Sequence, residues 1–92
     1  MIDRSKKENN VNWTTIKDGR GNTYVTPLPE PRKVAYGTEI ATHVVKWYNR
    51  TTRDWVVSLS NKVGDQVGSS EYVYSQDDAN ATAQWLIDGG TI

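Results

Sequence analysis

The sequence predicts an α+β fold: an antiparallel sheet of four to five strands with one carboxy-terminal helix packed on one face. Three observations carry that expectation. Short runs of β-branched and aromatic residues alternate in HVVKWYN, WVVSLS and QVGSSEYVYS. The stretch DDANATAQWLID that follows has the spacing and boundaries of a helix. A chain of 92 residues belongs to the size range of a single domain, about 50 to 250 residues. Residues 43–88 therefore read as a βββα core, preceded by a hairpin over 11–26 and a proline-rich connector over 27–33.

Residues 1–10, MIDRSKKENN, are polar and charged and are expected to form a disordered tail. Trp13 to Ile16 and Thr23 to Val25 are strand formers, and Asp18-Gly19 between them suits a tight turn that tolerates positive φ. Gly21 allows a longer loop or a bulge. Pro27, Pro29 and Pro31 then fix φ and remove three amide donors, which suits an extended connector and excludes a sheet interior. From Glu39 to Asn49 one long strand is expected; a brief helical turn capped by Thr38 is the alternative reading of its start.

Arg50 to Asp54 forms the next turn. Beyond it Trp55, Val57 and Leu59 share one face of a strand, and Val56, Ser58 and Ser60 share the other. Such alternation predicts one buried face and one wetter one. A turn with Gly64-Asp65 at its tip leads into QVGSSEYVYS. Ser75 is placed to cap the helix, with Asp78 three residues on, and Asp77 and Asp78 lie at the positive end of the helix dipole. Ala79, Thr82, Ala83 and Leu86 make a narrow stripe for the sheet, and Gly89-Gly90 stops the helix. The expected core is Val45, Trp47, Trp55, Val57, Leu59, Ala79, Ala83 and Leu86.

Enzymatic chemistry runs out of residues, and no enzyme is expected. No cysteine is present, so there is neither a thiol nucleophile nor a thiolate metal site. His43 is the single imidazole and has no partner pattern around it, so it is read as structural; no metal or cofactor is expected. Neither a G-x-S-x-G elbow nor a phosphate loop ending in Gly-Lys occurs. The adjacent carboxylates Asp77 and Asp78 are accounted for by helix-start electrostatics. The amino-terminal residues resemble no secretory signal, and no run approaches the ~18 apolar residues of a membrane span. A cytoplasmic protein without membrane contact is the expectation.

What remains is a surface. Formal net charge is zero, with residues 1–33 at +3 and residues 34–92 at −3, so no basic stripe marks a general nucleic-acid binder. The aromatic inventory is four Trp, five Tyr and no Phe, a bias toward residues enriched at interfaces. Lys46, Tyr48, Arg50 and Arg53, in KWYNRTTRDW, combine cations and rings at one hairpin end, with Tyr72 and Tyr74 in the next strand. Protein hot spots use these residue types, and so do surfaces that grip phosphates and stack bases.

The segment Trp55-Val56-Val57-Ser58-Leu59, the Gly64 turn, Ser75, Asp78-Ala79 and Trp85-Leu86 resembles the amino-terminal arm-binding domains of phage and transposon integrases. That resemblance implies a three-stranded sheet inserted into the DNA major groove. The same segment is similar to small bacterial strand-strand-helix domains of the YegP type, through W-x-x-x-L, the Gly64 turn, Ser70-Glu71 and the alanine-containing helix. Each likeness spans about half the chain. Where integrase strands carry Lys and Arg, this chain has Ser58, Ser60, Ser70, Tyr72 and Tyr74, so DNA-binding roles do not transfer. The leading expectation is a small non-enzymatic binding module for a protein or ribonucleoprotein complex. In size and style it is like phage-type accessory proteins, anti-CRISPR inhibitors included. The alternative is a weak or sequence-nonspecific nucleic-acid-binding domain using Lys46, Tyr48, Arg50 and Arg53.

Overall fold

The computed structural model of the chain describes residues 11–19, 21–34, 37–61 and 65–92. Five strands and one helix follow in order: β1 (Thr14–Asp18), β2 (Gly21–Lys33), β3 (Ile40–Asn49), β4 (Asp54–Asn61), β5 (Asp65–Val73) and α1 (Gln76–Ile87). All neighbours are antiparallel and the sheet order is β1-β2-β3-β4-β5, a plain meander. The α+β fold with one carboxy-terminal helix is thus the architecture adopted. The expected tail over 1–10 and the turn tip at Gly64 lie outside the described residues.

Strand β3 begins one residue later than expected, at Ile40. No helical turn forms at Thr38; residues 37–38 bend, and Val34 N–H donates to Glu39 O at 3.0 Å to close the connection. The proline stretch departs further from expectation. Pro27, Pro29 and Pro31 do not form a separate connector but continue β2 as far as Lys33. Two features make this tolerable. The β1 ladder ends at Val25, so the proline half of β2 is paired on one side only. On that side the register jumps from Pro27↔His43 to Arg32↔Ala41, leaving residues 28–31 bulged and free of ladder duty.

Helix α1 is fixed at both ends by its local sequence. Ser75 sits in extended backbone and its Oγ accepts from Asp78 N–H at 3.0 Å. At the other end Gly90 N–H reaches Trp85 O (2.8 Å) and Gly89 N–H reaches Leu86 O (3.2 Å), with Gly89 at φ 109°. These two bonds are a Schellman stop, which needs the left-handed residue that glycine supplies. A Cβ on Gly90 would come within 2.3 Å of the Trp85 ring, so the chain can leave over that indole only as glycine.

The helix lies over β3, β4 and β5. Beneath it Val44, Val57, Leu59, Val67 and Val73 join Ala79, Ala83 and Leu86 in one apolar core. Leu28, Val34 and Ala41 extend that core under the bulged end of β2, where the core-facing residues of β2 and β3 meet. Trp55, expected inside, is partly buried against this cluster. Val45 and Trp47 point to the opposite face, as their odd-numbered offsets from Val44 require. That second face is drier than alternation implied: Val45, Ser58 and Ser60 are fully buried. In register, Ser60 lies between His43 and Gln66, and Ser58 between Val45 and Ser70. The short side chain of Ser60 thus sinks between two longer ones. Ser58 Oγ donates to Gln66 Oε1 at 2.8 Å and also meets Ser70 Oγ.

Candidate functional site

Cross-strand register places five of the six expected contact residues at one end of the sheet. Asn49↔Asp54 closes the β3–β4 hairpin, Tyr48 pairs with Trp55, and Trp55 pairs with Val73. Arg50 and Arg53 therefore stand on the loop, Tyr48 on β3 beside it, and Tyr72 and Tyr74 at the end of the adjoining edge strand. The exposures are 40% for Tyr48, 63% for Tyr72 and 87% for Tyr74, while Arg50 and Arg53 are exposed. Neither guanidinium has a hydrogen-bond or ion-pair partner among the described residues.

The loop itself is tightly built. Asn49 Oδ1 accepts from Thr51 N–H (3.0 Å) and Thr52 N–H (3.4 Å), and Arg53 N–H donates to Asn49 O at 2.7 Å. Thr52 Oγ1 donates to the Asp54 carboxylate. These bonds force Arg53 to φ 58°, the left-handed region that glycine or asparagine usually fills. An arginine held there has a fixed backbone and a free head group. Below it Tyr48 meets Trp55 edge to face, with centroids 5.5 Å apart, so its ring is braced while its outer part stays in solvent.

Lys46, the sixth expected contact residue, is not on this surface. It faces the helix in alternation with Val44 and Tyr48 and is 1% exposed. Its Nζ donates to Asn80 Oδ1 on α1 at 2.6 Å. The same oxygen accepts from Trp13 Nε1 at 3.0 Å. Two donors converging on one atom identify it as the amide oxygen rather than the nitrogen. Three rings surround the ammonium, their centroids 4.5 Å (Trp13), 5.2 Å (Tyr24) and 5.4 Å (Trp55) from Nζ. Burial pushes the Lys46 ammonium down from its ordinary 10.5 to about 8, so it stays mostly charged at neutral pH. Sequence alone does not reveal this burial, because the groups that hold Lys46 are far from it in the chain: Asn80 lies 34 residues away.

The other groups weighed for chemistry remain apart. His43 is half-buried, with Nδ1 2.8 Å from Thr42 Oγ1 and its strand neighbours Pro27 and Ser60 on either side. Asp77 and Asp78 stand in the first helical turn. Among the described residues no three of His, Asp and Glu gather as a metal ion requires. A shallow groove of about 240 Å³ runs between the proline stretch of β2 and the end of α1, beside the bond from Arg32 Nη2 to Gly90 O at 2.7 Å. Among the described residues no helix is long and apolar enough to cross a membrane. Comparison with family models, curated proteins and solved structures found no match to this chain.

Proposed function

We propose that this protein is a small non-catalytic binding module and that the Arg50–Arg53 hairpin, with Tyr48, Tyr72 and Tyr74, is its contact surface. The partner class is a protein or a protein–nucleic-acid assembly. One observation carries the reading: two guanidiniums without partners among the described residues and three exposed tyrosines share one end of the sheet, with Arg53 held at φ 58°. Arginine and tyrosine are the residues that most often dominate protein hot spots, and a strained backbone position retained by a non-glycine residue is a mark of functional use. An accessory or inhibitor role, in the manner of the small phage-type proteins, fits this reading.

The burial of Lys46 weighs against the nucleic-acid alternative. It leaves Arg50 and Arg53 as the cations of the hairpin end, and two phosphate contacts give a salt slope of only about −2 in log Kobs against log salt. Affinity capture from a source lysate, followed by titration of DNA and RNA from low to moderate salt, separates the two readings. A protein partner retained at moderate salt, without nucleic-acid binding at low salt, is the expected result. Nucleic-acid binding with a steep salt slope, and no protein captured, would overturn it.

A further inference from the structure

Lys46 is buried with no acidic partner among the described residues. A bare ammonium in such a place ordinarily needs a carboxylate. Here four elements of the chain supply something else: Trp13 from the residue preceding β1, Tyr24 from β2, Trp55 from β4 and Asn80 from α1. All three ring centroids lie inside the roughly 6 Å over which a ring's quadrupole attracts a cation. Asn80 Oδ1 offers two lone pairs, one taken by Trp13 and one by Lys46. Converging aromatic rings are the arrangement by which proteins recognise ammonium ligands.

We propose that Trp13, Tyr24, Trp55 and Asn80 form a built ammonium site whose ligand is the chain's own Lys46. Through Asn80 Oδ1, which accepts from both Trp13 and Lys46, that side chain joins the amino-terminal flank to the helix. Emptied of its lysine, the box takes a small primary alkylammonium ion. The site shares Trp55 with the hairpin end, where that ring braces Tyr48, but does not depend on what that end binds.

Two measurements test the site. NMR titration of the Lys46 side chain follows its pKa in the wild type and in Trp13→Leu and Tyr24→Leu. Leucine keeps the neighbourhood apolar but removes the quadrupole, so the Lys46 pKa is expected to fall by about half a pH unit or more in each variant. If the rings act only by excluding water, the pKa stays or rises, and the proposal is overturned. The second measurement is thermal unfolding of Lys46→Ala with n-propylammonium chloride, n-propanol or potassium chloride. Propylammonium, which replaces the deleted atoms and their charge, is expected to raise the midpoint of this variant above both controls and to leave the wild type unmoved. Should Lys46→Ala not fold unaided, its refolding yield in the same three solutions reads the same selectivity. Equal rescue by propanol, or none by propylammonium, contradicts an ammonium site.

Discussion

Lys46 gives this small protein a stability that depends on alkaline pH. Its folded value lies near 8 and its unfolded value near 10.5, so between those limits the unfolded chain holds the proton more tightly. Stability is therefore at its lower level below about pH 8 and rises from there toward pH 10.5. Between pH 7 and pH 9.5 the gain is about 1–2 kcal/mol. Urea denaturation at those two pH values should show it in the wild type and not in Lys46→Met. A second residue-scale prediction concerns Thr82, a fully buried residue of the helix with no partner for its Oγ1 among the described residues. Thr82→Val removes the unsatisfied hydroxyl at nearly constant shape and should raise stability by about 1 kcal/mol, seen in the urea midpoint. At this scale the sequence was partly legible. Alternation with Val44 puts Lys46 on the helix face, but a lysine is normally solvated, and only the folded arrangement brings Trp13, Tyr24 and Asn80 together around it.

Among the elements, the helix was the most readable because its signals are local. Ser75 and Gly89-Gly90 act on backbone groups within a turn of themselves, and each does what its residue type allows. Ser75→Ala should lower stability by about 1 kcal/mol, measured by thermal or urea unfolding. Strand β2 was harder. Proline's missing amide matters only where a neighbour needs it, and whether β1 stops before Pro27 is decided by pairing, which single-strand composition does not record. The β3–β4 loop makes the opposite kind of statement. Arg53 occupies a left-handed position that disfavours any side chain by about 1–2 kcal/mol. Replacing it with glycine should stabilise the domain by about 1 kcal/mol, and the gain should appear in the unfolding midpoint. A substitution that strengthens the fold while removing an exposed guanidinium separates the demands of folding from those of binding.

Taken whole, the molecule is a five-stranded meander clamped by one helix, with exposed Arg50, Arg53, Tyr48, Tyr72 and Tyr74 toward the β3–β4 end. The fold class followed from periodicity and capping. The two-sided burial of β4 did not, because Ser58 and Ser60 read as wet residues until the cross-strand neighbours are set on both sides. Of the proposed contact residues, Tyr48, Arg50, Arg53, Tyr72 and Tyr74 share one end of the sheet, with Tyr48 on the helix face and Tyr72, paired with Val56, on the other, since hairpin connectivity brings sequence neighbours to one end. Only Lys46 left the group, for the reason of face already given. The most direct test of the account is the affinity of a captured partner for the wild type, Arg53→Gly and Tyr74→Ser, alongside the unfolding midpoint of each. Arg53→Gly should bind about tenfold or more weakly while unfolding at a higher midpoint, and Tyr74→Ser should bind weakly at an unchanged one. Undiminished binding by both folded variants would contradict the assignment of the hairpin end as the working surface.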